Sequence, residues 1–199
     1  MGGMGREFRR FALLIAGLWV LAIASATLQQ APSKGAPGAD KSTATVQDIM
    51  ATMIGPASKA VFGAVSSEVT PTGTVEKFPR TDAEWAAVRR QALTMVEGAN
   101  LLLTPGRRFA SPANAAKHNE GELPPAEIEV RVSKERLVWN KLAIAFRDAA
   151  NGAVKAAEAR RQQDFGAVSE AIDTACENCH LRYWYPDQET LLKNAPKPK

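Results

Sequence analysis

The sequence predicts an all-α fold, an antiparallel bundle of four amphipathic helices. Three observations predict it. Alanine is abundant and runs of β-branched residues are rare. Apolar residues recur at intervals of three and four along four separate stretches. The links between those stretches are short or polar, which suits antiparallel neighbours. With 199 residues and 45% hydrophobic content, the chain can bury one ordinary core. No repeat with a period of about 20–50 residues is present.

The first 26 residues read as a targeting segment. Arg6, Arg9 and Arg10 precede the apolar run FALLIAGLWVLAIASA, which closes on Ala24-Ser25-Ala26, an A-x-A cleavage site. Residues 1–26 are therefore expected to be a signal peptide cut after Ala26. The alternative is an uncleaved membrane anchor: counting Thr27 and Leu28, the apolar stretch reaches about 18 residues, the lower limit for spanning a bilayer. Either way the folded part is expected outside the cytoplasm, in the periplasm. Residues 27–42, TLQQAPSKGAPGADKS, are rich in Pro, Gly, Ser and Ala and read as a flexible linker.

The targeting segment distorts the charge balance. Taking its three arginines and one glutamate from 25 basic and 21 acidic residues leaves 22 and 20, a formal net of +2. No basic stripe interleaved with aromatics is present, so no nucleic-acid partner is expected.

The helical domain spans 43–185. The first helix covers about 43–67, with Val46, Met50, Met53, Ala57, Ala60, Val61 and Ala64 at helical spacing. Pro56 lies inside it and cannot donate to the carbonyl four residues back, so a kink is expected there. The second helix covers about 82–104. Thr81 is its N-cap and Glu84 completes a capping box. Trp85, Val88, Ala92, Met95 and Leu102 form its apolar face, and Pro105-Gly106 ends it. Residues 105–132 read as a long loop, and loops of that length usually carry function or move. The third helix runs from Ser133 to about 161, with Val138, Leu142, Ala145, Phe146 and Ala149 inward and Gly152 as a weak point. Asp164 is expected to cap the fourth helix, about 165–185, which Pro186 stops. Residues 186–199 read as a flexible tail.

The chemistry-bearing motif is CENCH at 176–180. It holds both cysteines of the chain and one of its two histidines. On the fourth helix, Phe165, Val168, Ile172, Cys176 and Cys179 share one seam. At about 100° per residue, Cys176 and Cys179 lie about 60° apart, and Cys176 and His180 about 40° apart. Both sulfurs and the imidazole thus leave one face. Covalent haem attachment needs that geometry: two thiols add to two vinyl groups and the adjacent imidazole reaches the iron. Three other readings compete. Structural zinc needs about four ligands, and the chain offers only these three and the distant His118. A thioredoxin-like redox pair would want a βαβ setting. A plain disulfide suits an exported protein.

With His180 as one axial ligand, the opposite iron face decides the function. An open face admits gas ligands, whereas a Met sulfur closes it, raises the potential and favours electron transfer. The candidates are Met50, Met53, Met95 and His118. His118 sits in the polar stretch AAKHNEGE and reads as a solvated loop residue. Met95 fits the core face of the second helix. Met50 and Met53 share the inward face of the first helix, ahead of Pro56.

Four helices with CxxCH on the last, near the C-terminus, resemble the class II c-type cytochromes, the cytochrome c-prime family. The resemblance covers about residues 43–185. It implies one haem c held covalently by Cys176 and Cys179 and ligated by His180. Low-spin members use a Met from the first helix, which carries over to Met50, with Met53 as the alternative; VQDIM followed by Pro56 looks like that segment. High-spin members leave the place apolar and bind nitric oxide or carbon monoxide. One departure stands out. Many members continue the motif as CHxxYR, and here Tyr183 is in place but Trp184 stands where Arg is expected, with Arg182 two residues earlier. That puts in doubt any propionate contact assigned to that Arg. Arg107 and Arg108 are the other arginines that could meet propionates, although a solvated loop pair is the plainer reading.

The function these features imply is non-enzymatic: a periplasmic monohaem electron carrier that meets redox partner proteins, tethered to the membrane if the signal stays uncleaved and open to homodimer formation. A five-coordinate gas-binding cytochrome is the first alternative. A haem-free exported interaction module is the second.

Overall fold

The computed structural model describes residues 43–188. The expected signal peptide or anchor, the linker, and the tail beyond Gln188 lie outside the described residues. The described chain is mostly helical, with six α-helices and one two-stranded sheet.

The first helical rod has three parts: α1 (Val46–Ile49), a π-helical segment (Met50–Ile54) and α2 (Gly55–Phe62). Thr45 caps it, with its hydroxyl accepting from the Asp48 amide and the Asp48 carboxylate accepting from the Thr45 amide. Pro56 sits in the first turn of α2, where its missing N–H costs little. Where the sequence leads to the expectation of a kink at Pro56, the backbone has a π-helical segment just before it.

The rod ends at Phe62, five residues earlier than the periodicity predicts. Beyond it, β1 (Ser66–Thr70) and β2 (Gly73–Lys77) pair as an antiparallel hairpin in which Glu68 faces Val75. The turn contains Pro71 and Gly73, the latter at φ 133°, a conformation open to glycine.

α3 (Asp82–Leu102) begins with the predicted capping box: Glu84 accepts from the Thr81 amide, and its own amide donates to the Thr81 hydroxyl. The Arg80 amide donates to the same carboxylate at 2.8 Å, and together with the Thr81 amide and hydroxyl it holds the Glu84 pKa below the usual carboxylate range. The expected face is buried, with Trp85, Val88, Ala92, Met95 and Leu102 all in the core.

The stretch 105–132 is not one long loop. Its last part forms α4 (Pro125–Lys134), which buries Ile128 and Val132. The third long helix accordingly starts at Arg136 rather than Ser133: α5 spans Arg136–Glu158 and is separated from α4 by Glu135 alone. α6 spans Phe165–Tyr183. Asp164 precedes it but makes no side-chain cap, because its carboxylate pairs with Arg161 at 2.6 Å instead. No helix among the described residues is long and apolar enough to cross a membrane.

α3 and α5 form the most extensive helix pair, α6 packs along α5, and the first rod lies against α3. The rod packs tightly on α3 at Gly98, where a Cβ would stand 2.7 Å from Ile54 Cγ1. Ile54 is buried, so it cannot swing clear. Gly98→Ala should therefore cost about 1–3 kcal/mol of overpacking, set against about 1 kcal/mol of improved helix propensity. Chemical denaturation should show a net loss, and combining the change with Ile54→Ala should destabilise less than the two single losses added together.

Candidate cofactor site

The functional residues converge on one cavity of about 370 Å³, within the size range of ligand pockets. α6 contributes Ala175, Cys176, Cys179 and His180, and Trp184 and Tyr185 follow just beyond it. The first rod contributes Gln47, Met50, Ile54, Gly55 and Ser58. Leu102 comes from α3, and Trp139, Leu142, Ala143 and Phe146 come from α5. Glu122 arrives from the loop before α4 and is the one Asp, Glu, Lys or Arg among the described lining residues.

The local sequence explains each placement. Ile172 and Ala175 bury the inner line of α6, and the motif occupies the half-buried flank beside that line. Cys176 and Cys179 are free thiols, not joined to each other. Burial pushes the Cys176 thiol up to about 11, with the Asp173 and Glu177 carboxylates adding to the rise, and the Cys179 thiol up to about 12. Burial also lowers the pKa of His180, against the opposing pull of Glu177 and Glu122. The imidazole is therefore neutral at physiological pH, with a lone pair to offer a metal.

Met50 stands at the start of the π segment. The Gly55 amide donates to the Met50 carbonyl, a bond spanning five residues instead of four. A Cβ on Gly55 would lie 2.9 Å from that oxygen, so glycine is what permits the wide turn. Met53, the other candidate from this rod, packs against the core but does not line the cavity. Met95 is fully buried in the core. His118 is exposed, with its Nδ1 2.9 Å from the Asn119 carbonyl oxygen, and also stands apart from the cavity. Of the four sixth-ligand candidates, only Met50 shares a cavity with Cys176, Cys179 and His180.

Of the arginines considered for propionates, Arg107 and Arg182 have side-chain partners elsewhere, and none of the three lines the cavity. Arg107 is buried and donates to the Leu101 carbonyl at 2.9 Å and to the Ala44 carbonyl, tying the end of α3 to the start of the first rod. Arg108 is exposed, and its carbonyl accepts from the Val46 amide at 2.9 Å. Arg182 pairs with Glu135 at 2.9 Å. Trp184 walls the cavity, whereas Tyr183 is wholly buried with its ring edge-on to Trp139, 5.5 Å between centroids.

Sequence reasoning missed Glu122, whose position depends on how its loop is pinned. The Leu123 amide donates to the Trp184 carbonyl at 2.8 Å, which brings the loop against the end of α6. Among the described residues, no three His, Cys, Asp or Glu side chains converge as a metal site. His118, the fourth donor of the zinc reading, stands apart from the cavity. The donor set does fit an iron porphyrin: two thiols and a neutral imidazole on one helix face, a thioether on the facing rod, and aromatic and aliphatic walls. No family model matches the chain, and no curated protein or solved structure matches it either.

The raised thiol pKa values make a prediction for the folded chain without cofactor. Only the thiolate is alkylated, and burial disfavours the thiolate. Modification by iodoacetamide at pH 8 should be much slower than in denaturant, and its rate should climb as pH passes about 11. Equal rates in the two conditions would show that the thiols are not sheltered.

Proposed function

We propose that this chain is a periplasmic c-type cytochrome of the class II kind that carries electrons through one haem, which Cys176 and Cys179 would hold covalently and whose iron His180 and Met50 would bind. In this reading the first rod, α3, α5 and α6 are the four rods of an antiparallel bundle. The observation that carries it is the convergence of Cys176, Cys179, His180 and Met50 on one apolar cavity.

Each residue then has a defined task. Cys176 and Cys179 would hold the group by thioethers, each S–H adding across a vinyl double bond. His180 would present its neutral ring nitrogen to the iron. Met50 would close the opposite face, so no position remains for a substrate. When bound, the haem supplies an iron centre that takes up and releases one electron. Trp139, Phe146 and Leu142 line the cavity with apolar surface, which lowers the local dielectric and excludes water. Met50 in the lining favours the closed, six-coordinate site over the five-coordinate, gas-binding alternative. Electrons would pass to and from redox partner proteins, with the chain tethered at the membrane if its signal is retained.

Expression in a host with an active cytochrome maturation pathway should give a coloured protein whose mass exceeds that of the chain by one haem after denaturation. Cys176→Ala with Cys179→Ala should abolish that increase. A colourless wild-type product would end this reading.

The reduced visible spectrum should show the sharp α and β bands of six-coordinate, low-spin iron. Met50→Ala should convert it to a broad band and open the site to carbon monoxide, whereas Met53→Ala should leave it low-spin. Gly55→Ala, which crowds the Met50 carbonyl, should give a mixed spectrum. A low-spin Met50→Ala protein would remove Met50 from the site.

A further inference from the structure

We propose that Glu122 sets the electron affinity of the site, its carboxylate favouring the oxidised over the reduced cofactor. This inference rests on the haem reading above. It starts from an asymmetry in the cavity wall: among the described residues that line it, Glu122 alone bears a formal charge, and none is Lys or Arg. Its carboxylate forms no salt bridge among the described residues. Its polar partners are neutral, the Asn119 amide at 3.1 Å and the Asn119 side-chain nitrogen at 3.0 Å, both donating to Oε2.

The loop is built to keep that charge in place. The Leu123 amide is bonded to the Trp184 carbonyl, and the Trp184 and Tyr185 amides in turn donate to the His180 carbonyl at 2.7 and 3.0 Å. At its far side the loop is closed by the Ala126 amide donating to the Ala115 carbonyl at 3.0 Å. Glu122 is thus held at the end of α6 that carries His180, half-buried in the wall it shares with that residue. Its field reaches the His180 ring and the Tyr185 hydroxyl. Glu177 acts on both groups more strongly than Glu122 does, but it is exposed and lies outside the cavity lining, so Glu122 is the carboxylate in the wall itself.

An oxidised iron centre carries one more positive charge than a reduced one. A nearby carboxylate without a countercation therefore stabilises the oxidised form and lowers the midpoint potential. The apolar walls act in the opposite direction, so Glu122 offsets them. Asn119 is the positioning residue for this carboxylate.

The test uses the mature haem-loaded protein and measures midpoint potentials for the parent, Glu122→Gln and Glu120→Gln. Glutamine keeps an oxygen for the Asn119 donors and removes only the charge. At a fixed applied potential, Glu122→Gln should raise the reduced-to-oxidised ratio on the order of tenfold, about 59 mV for one electron. The reduced spectrum and the thermal midpoint should stay as in the parent. Glu120 lies on the same loop, is exposed and does not line the cavity, so Glu120→Gln should leave the ratio unchanged. A Glu122→Gln protein with the parent's potential and an intact spectrum would overturn this inference alone, as would an equal shift in both variants. A parent chain that matures without haem would overturn it together with the function proposed above.

Discussion

The hydrogen bond from the Trp139 indole to the Leu102 carbonyl, 2.9 Å long and buried between α5 and α3, joins two helices that both wall the cavity. Net, such a bond contributes about 1 kcal/mol, but leaving the Leu102 carbonyl buried and unpaired would cost about 1–3 kcal/mol. Its larger effect is positional. With the indole nitrogen fixed, the Trp139 ring meets Phe109 at 5.2 Å and Tyr183 at 5.5 Å, both edge-on. Phe109 in turn meets Trp184 at 5.9 Å. Four aromatic residues from α5, α6, the segment just after α6 and the 105–124 loop thereby take one arrangement. The aromatic ends of the motif helix are set by the same contact that fixes the α3–α5 seam.

The long helices were legible because their signal is local. Val88, Ala92 and Met95 repeat at helical spacing, and Thr81 with Glu84 marks where α3 begins. The hairpin was not, because β1 and β2 are exposed on nearly every residue and so carry no period-two pattern of apolar and polar positions. Only Pro71 and Gly73 hinted at its turn. α4 was hidden by Pro124-Pro125, which reads as a breaker although proline at the first turn is a common start to a helix. Ile128 and Val132, four apart, were the signal that could have found it. Asp164 failed as a cap because Arg161, three residues earlier, offers a competing charged partner.

The site divides in the same way. Cys176, Cys179 and His180 are neighbours on one helix, so geometry per residue was enough to place them together. Glu122 lies more than fifty residues away along the chain, and nothing in KHNEGEL announces that it enters a cavity. It is brought there by a backbone bond between Leu123 and Trp184, a long-range contact of a kind that local pattern does not encode. Arg107 shows the converse. As a basic residue in a loop it looked solvated or available to an anion, yet it is buried and occupied by backbone carbonyls, holding the start of the first rod to the end of α3. Its charge is used for architecture, and among the described residues the cavity wall holds a carboxylate and no Lys or Arg.

The choice between Met50 and Met53 turns on the same distinction between local and assembled structure. On a regular helix the two lie about 60° apart, close enough to share an inward face, so periodicity alone does not separate them. The π segment begins at Met50 and passes through Met53. One extra residue in that turn changes the facing of everything between its ends, and wide turns of this type recur at functional sites. Two residues make the turn tolerable. Gly55 has no Cβ to strike the Met50 carbonyl, and Pro56 has no N–H that would be left unpaired where the ladder shifts. The seven-residue stretch from Met50 to Pro56, MATMIGP, therefore holds two methionines on different sides of one irregular turn, with Met50 in the cavity lining and Met53 in the packing. Of the two sulfur-bearing side chains, the backbone between them leaves Met50 alone in the cavity lining among the described residues.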